Sequence, residues 1–423
     1  MSLCCDVAPD DTWKDYGDYI LEKLEIKTRT GETLDVKRMI DELNVYEDIF
    51  STFVSGNITL SDASGIMEEK MVNDLDEIFI EIRTPGSEDT LKYDRIIYKI
   101  EPSTPEGQNI DKEQFIIHFT ALEQLVDVVQ KISKTFKGKH HEIAQGIFDE
   151  YLTKTGREIV TLEPAQQEIR YTAPTVSPMQ VIMFMTAGAY TDKNDSPSFV
   201  FYEDMDGYHF RSIEKLKDEP VKLELDYDAT LTHKFELEKK KHKVLSLVSE
   251  YRNDALHDLT YGKYGKETLS ELSLFNHTEV VKFEEDPSIR DQKEPKKPTE
   301  IIAKAAEHSL STLDYRPVNT WLYEEGEVAH GGTFLYWHGE RKSYFMDLMK
   351  TRVVVVFSGD TRIRVGNRIK LNAVTRVKDK DKLDDTEDKQ LSGEFIVTAC
   401  SHNVSRAGHY TALELMRHGK EIG

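Results

Sequence analysis

Two well-separated segments of this chain each read as a pair of strands folded back through a tight turn. In FVFYEDMDGYHFRSIEKL, Phe199 to Leu216, the residues Phe199, Phe201, Tyr208 and Phe210 flank Asp206-Gly207, a dipeptide suited to positive φ in a hairpin. In SGEFIVTACSHNVSRAGHYTALELMRHG, Ser392 to Gly419, Phe395, Val397 and Ala399 alternate with polar neighbours. The turn Arg406-Ala407-Gly408 then leads into Thr411, Leu413 and Leu415. Period-two alternation of this kind demands a sheet with one buried face.

The same pattern runs from Leu24 to about Thr120. Ile58 and Leu60 alternate after Gly56, read as a turn, and Ile78, Ile80 and Ile82 share one face. Tyr93 to Ile100 follows, and then Phe115, Ile117 and Phe119. Short strands with Gly, Pro and Asp turns predict a small antiparallel barrel or sandwich. The period then changes. Thr120 with Glu123 has the form of a capping box, and Leu122, Leu125, Val126, Val129, Ile132 and Phe136 follow at helical spacing. A second helix carries Ile143, Ile147, Phe148 and Tyr151. A third, nearly all apolar, starts at Ser177-Pro178. From Pro220 the chain is strand-like again, and from Thr351 it gives VVVVF, the turn Ser358-Gly359-Asp360, the strand TRIRV, then Ile369, Leu371 and Ala373. Between them lie a Tyr261 to Tyr264 turn, a Pro-punctuated exposed loop at 285–298 and a short helix capped by Thr299. A charged loop spans 377–391.

The 423 residues are enough for several cores, with 39% hydrophobic and 31% charged. No apolar run approaches the ~18 to 20 residues of a membrane span, and MSLCCDVAPDD has no secretory pattern. Three cysteines, Cys4, Cys5 and Cys400, are too few for a disulfide framework, which fits a reducing cytoplasm. With 77 acidic against 55 basic residues, the net charge of -22 disfavours nucleic-acid and anionic-membrane binding.

Candidate chemistry fails residue by residue. His140-His141-Glu142 lacks the second His of HExxH, and adjacent helical histidines diverge by about 100°, so a solvated helix start is expected. Glu203, Asp204 and Asp206 before Gly207 look like part of a calcium loop. In EF-hand register, however, Tyr202 and Ile213 fall where carboxylates belong, and a hairpin turn explains the residues. Cys400 lies near His402, His409 and His418, yet no oxyanion-hole glycine motif accompanies them, and a buried structural thiol is expected. Gly331-Gly332 lacks the context of a phosphate loop. No catalytic, cofactor or metal residue is assigned.

YEDIFSTFVSGNITLSDASG, FVFYEDMDGYHFRSIEKL, TRIRVGNRIKL and the last hairpin, in that order, resemble the baseplate central hub proteins of contractile-tailed bacteriophages of the T-even type. The resemblance implies a mainly β, α+β chain: two tail-tube-like antiparallel β-barrels with inserted α/β domains. The layout is an arm at 1–19, a first barrel at 20–120, an α+β domain at 121–217, a second barrel from 218–250 plus 350–423, and an insert at 251–349. It further implies a homotrimeric ring adapting a sixfold tube to a threefold spike, with a channel for DNA exit; joined to the net charge of -22, that role predicts a channel wall with more carboxylates than Lys and Arg. Its partners would be itself, a central spike protein, tube or tube-initiator proteins and other baseplate proteins, without specific nucleic-acid binding or membrane insertion. It would be a virion component assembled in the host cytoplasm, not an enzyme. The alternatives are a tail-associated cell-wall hydrolase, which needs paired carboxylates in a cleft, or the hub of a non-phage contractile injection system.

Overall fold

A computed structural model describes residues 12–13, 15–103, 113–153, 156–166, 168–191, 196–227, 242–251, 255–260, 265–271, 278–284, 312–315, 340–374, 388 and 391–417. Cys4, Cys5, Gly331-Gly332, His418, the Tyr261 to Tyr264 turn, the 285–298 loop, the helix after Thr299 and nearly all of the 377–391 loop lie outside the described residues.

The alternating segments of the first third form β1 (Ile20–Lys27), β2 (Thr33–Asp35), β3 (Ile40–Asp48), β4 (Ser55–Asp62), β5 (Glu77–Arg83), β6 (Thr90–Ser103) and β7 (Glu113–Thr120), with the one-turn helix α1 (Ile66–Glu69) between β4 and β5. They pair antiparallel in the order β3-β4-β7-β6-β5-β1-β2. Val36 N donates to Leu24 O (3.0 Å), which brings the lead-in to β3 back onto β1. The strands thus wrap around Leu24, Leu43, Ile58, Ile80, Tyr93 and Phe119, all buried. Each such side chain withdrawn from water contributes roughly 1.5–3 kcal/mol.

Gly56 is not a turn. It sits inside β4, and the chain reverses earlier, where Phe50 N donates to Asp48 Oδ1 (2.7 Å). A Cβ on Gly56 would lie 2.3 Å from Asn44 O and 2.4 Å from the Phe119 ring, so β3 and the core close over a bare backbone. We expect Gly56→Ala to destabilise by about 1–3 kcal/mol, read as a lower melting temperature. A melt unchanged from the parent would refute the close-approach role.

The middle third holds α2 (Leu122–Val129), β8 (Thr135–Lys139), α3 (His140–Tyr151), β9 (Ile159–Leu162), β10 (Glu168–Thr172), α4 (Pro178–Gly188), β11 (Phe199–Glu203), β12 (Tyr208–Ser212) and α5 (Ile213–Lys217). The Thr120–Glu123 capping box does not form. Ala121 is the N-cap, Glu123 is buried, and the Thr120 hydroxyl meets the Gln124 side chain. The helical spacing also stops short, because Ile132 N donates to Val176 O (2.7 Å) and Phe136 joins β8. The Ser177-Pro178 start holds: Ser177 Oγ accepts from Gln180 N (3.3 Å), and most of α4 is buried. β11 and β12 form the expected hairpin, with Gly207 at φ +150 and β9 added in parallel to β12.

The last third forms β13 (Val221–Tyr227), β14 (Val244–Tyr251), a short helix at Ala255–Thr260, a separate three-stranded sheet of β15 (Gly265–Glu271), β16 (Thr278–Glu284) and β17 (Thr312–Tyr315), and a helix at 340–348. It ends with β18 (Thr351–Ser358), β19 (Arg368–Ala373), β20 (Gly393–Ser405) and β21 (Gly408–Arg417). The order β14-β18-β21-β20-β19-β13 closes on itself where Asp226 N donates to His242 O (3.1 Å), around Val353, Phe357, Leu371, Phe395 and Leu413. One pair departs from the antiparallel expectation, since β13 runs parallel to β19. TRIRV is not a strand. It is an extended connection that buries Ile363 and Val365 while its polar groups bond to loops, so its alternation mimics a strand without a ladder. Beyond its contact with β19, β20 pairs with β3, joining both β units in one 13-stranded sheet.

Candidate functional site: a buried polar seam

Where the two β units and the β11–β12 hairpin meet, charged side chains point inward from strands that otherwise bury apolar ones. Arg95, from β6, places its Nη2 2.9 Å from Glu203 Oε1, and both side chains are almost wholly buried. The contact is an ion pair off the hydrogen-bonding direction. Glu203 Oε2 accepts from Val54 N (2.8 Å), and Arg157 lies 3.7 Å from Oε1. Next to it Glu47, from β3, accepts from Tyr93 Oη (2.8 Å). Burial, and then the Asp204 carboxylate, push Glu47 up to about 7, against the pull of Arg364. Arg364 spreads over Thr361 O (2.7 Å), Ile363 O (2.8 Å) and Met205 Sδ (3.3 Å), so it ties the connection after β18 to the hairpin turn. The same connection grips the first unit where Thr361 Oγ1 donates to Asp89 O (2.7 Å).

The candidate residues of the sequence are absorbed into structure. His140 is buried and His141 Nδ1 accepts from Ala165 N (3.0 Å), so the start of α3 is not solvated as expected. Burial lowers the His141 pKa, and Glu142 Oε2 accepts from Lys139 N (2.9 Å). Asp204 Oδ1 accepts from Asp206 N (2.8 Å) and Gly207 N (3.2 Å), the internal bonding of a tight turn. Its Oδ2 lies 3.0 Å from His209 Nε2. No cluster of three potential metal ligands exists among the described residues.

Cys400, His402 and His409 do come together. Cys400 Sγ lies 3.4 Å from His402 Nε2, and His402 Nδ1 lies 3.2 Å from His409 Nε2. Burial drives the thiol well up and His402 well down, the reverse of the thiolate–imidazolium pair that a nucleophile needs. Cys400 is buried, as the sequence implies.

The seam went unread in the sequence, although a signal exists. Glu47 falls in the inward phase with Val45, and Arg95 in the inward phase with Tyr93 and Ile97. No helix among the described residues is long and apolar enough to cross a membrane.

No protein-family model and no curated protein matches the sequence. Solved structures do. A tail protein from Neisseria meningitidis MC58 matches with a TM-score of 0.58 at 11% identity, covering 96% of this chain and 98% of that one. The 43 kDa tail protein of prophage MuSo2 from Shewanella oneidensis matches with a TM-score of 0.53 at 10% identity, covering 93% and 98%. At such identities the likeness speaks to the fold, over nearly the whole length: this chain has the mainly β, α+β fold of phage tail proteins.

Proposed function

We propose that this chain is a structural baseplate hub of a contractile tail, a homotrimeric ring that adapts a sixfold tube to a threefold spike and leaves a channel for DNA. The observation that carries this reading is the joint between β20 and β3. Two β units of matching strand order sit side by side in one sheet, so three chains would present six such units around an axis. Spike, tube and neighbouring baseplate proteins would dock on the two ends of the ring, and the chain would reside in the virion tail.

The outward face of the joint supports the channel. Asn403 Nδ2 donates to Asn44 Oδ1 (2.7 Å), and Asn44 Nδ2 to Asn57 Oδ1 (3.1 Å), an amide ladder flanked by Glu42 and Asp48. A wall of amides and carboxylates does not hold phosphates, whereas a cationic one would. Within the seam Arg95 pairs with Glu203 and Tyr93 donates to Glu47, both away from solvent, which favours a part without a chemical step.

Sedimentation or light scattering at rising concentration, with and without a trimeric spike, tests the reading. The expected species holds three chains. A strict monomer throughout, or cell-wall hydrolysis by the pure chain, would overturn it.

A further inference from the structure

Five strands of the two β units correspond in place, chain order and antiparallel pairing: β3 with β14, β4 with β18, β5 with β19, β6 with β20 and β7 with β21; β1 and β13 hold the same place but run in opposite directions. Their irregularities correspond as well. β6 has a bulge between Ile97 and Lys99 against β7, and β20 has one between Val397 and Ala399 against β21. β3 shifts register between Ile40 and Glu42 against β4, and β14 between Val244 and Ser246 against β18. Matching bulges fix the equivalence residue by residue, because a slip of one would turn every side chain to the other face.

Both long strands change neighbour halfway along. β20 lies on β19 from Gly393 to Ile396, and past its bulge, from Ala399 to Ser405, it pairs with β3. β6 lies on β5 from Thr90 to Ile96, and past its bulge it has β7 on one side and no strand among the described residues on the other. β14, the counterpart of β3, pairs with β18 on one side. From Ser246 onward no described strand covers its other edge. Exposure follows the same division. In the joined halves Cys400, His402 and Val404 are buried, whereas Tyr98 and Pro102 on β6 and Val248 on β14, 56% accessible, face solvent. An open strand edge bearing apolar side chains is a template for another strand.

We infer that the open half of β6 in one copy of this chain pairs antiparallel with the open edge of β14 in a second copy, repeating the β20–β3 joint between subunits. This rests on the ring proposed above and names the surface that closes it. The register follows from the internal joint, where Ser401 faces Tyr46 and Asn403 faces Asn44. Carried across by the bulges, Glu101 faces Glu250 of the second copy and Ser103 faces its Val248.

The joint between copies is the weaker of the two for two reasons. Ile49 N donates to Thr398 O (2.9 Å), so the even-numbered residues of this half of β20 turn their backbone toward β3. By the same parity Pro102 turns its missing N–H toward the open side, where a strand tolerates proline, and the ladder loses one donor. Glu101 and Glu250 also meet as like charges, each with its own cation: Lys99 beside Glu101, and Arg352 at 3.3 Å from Glu250.

The test uses the full chain with Cys4→Ser and Cys5→Ser as background. Residues facing each other across an antiparallel pair are about 4.5–5.5 Å apart at Cα, within the reach of a disulfide. Glu101→Cys with Glu250→Cys, oxidised with oxidised glutathione, is expected to give covalent dimers and trimers, while each single variant does not. Separately, Glu250→Lys is expected to lower the concentration for half-assembly by about fivefold. Assembly into trimers without the cross-link, or with Glu250→Lys weakening it, overturns the strand pairing and leaves the hub reading standing. A monomer under every condition overturns both.

Discussion

Arg95→Met is expected to lower the stability of the fold by about 3–5 kcal/mol, because it leaves the Glu203 carboxylate buried without its nearest cation. Arg95 Nη2 stands 2.9 Å from Glu203 Oε1, against 3.7 Å for Arg157, and the guanidinium also lies 5.4 Å from the centre of the Tyr93 ring. With Arg95 gone, the burial that already raises the Glu203 pKa would act with less opposition and drive the group toward its neutral form. Arg95→Met combined with Glu203→Gln is expected to recover much of the loss, since neither buried charge then remains. Denaturant titration of the single and double variants reads the difference. A single variant costing less than about 1 kcal/mol, or a double variant as unstable as the sum of the two singles, would show that the pair does not tie the hairpin to the first β unit.

What could be read from the sequence follows from how each signal arises. Ile78, Ile80 and Ile82 announce a strand because alternation is the direct imprint of one buried face, and the observed burial of β5 repeats it. The hairpins at Asp206-Gly207 and Arg406 to Gly408 were legible because positive φ is a local requirement; Gly207 stands at φ +150 and Gly408 at φ +135. Misreadings occurred where two causes share one pattern. Gly56 marks close approach instead of a turn, and Thr361 to Val365 alternates without a ladder. The joint between β20 and β3 could not be read, because pairing across more than three hundred residues depends on which edges remain open after each unit has closed. The seam was legible only in part. A carboxylate in phase with the buried Leu43 and Val45 signals an inward charge, but its partner, Arg364, lies on a distant connection.

The same seam gives the fold a pH dependence with two opposing limbs. Burial first, and then Asp204, raise Glu47 from an ordinary 4.5 to about 7, with Arg364 and the Tyr93 hydroxyl only partly offsetting them. The folded state therefore holds this proton more tightly than the unfolded chain does. The resulting stability is complete below about 4.5 and is lost as pH rises through about 7. His409 runs the other way. Burial lowers it from 6.5 to about 4, with Asp360 opposing, and His402 beside it is lowered further by burial and by His409. The fold prefers both rings neutral, so their stabilisation is present above 6.5 and is lost as pH falls toward 4. The two histidines outweigh Glu47 on the acid side, so stability falls below about pH 6; near pH 7 the contributions offset one another, and at higher pH neither changes further. Glu47→Gln keeps a partner for the Tyr93 hydroxyl and removes the need to ionise a buried group. A rise from 4.5 to about 7 corresponds to on the order of 3 kcal/mol, which sets the upper limit of the gain at pH 8, because Arg364 loses one of its carboxylate neighbours. Melting temperatures of both proteins from pH 5 to pH 9 decide the matter. The advantage of Glu47→Gln over the parent is expected to grow from pH 5 to about pH 8 and then to stay level, while both proteins keep the acid limb set by His402 and His409. A difference between variant and parent that stays the same from pH 5 to pH 8, or a variant less stable than the parent at pH 8, would mean that Arg364 holds Glu47 as a stabilising anion.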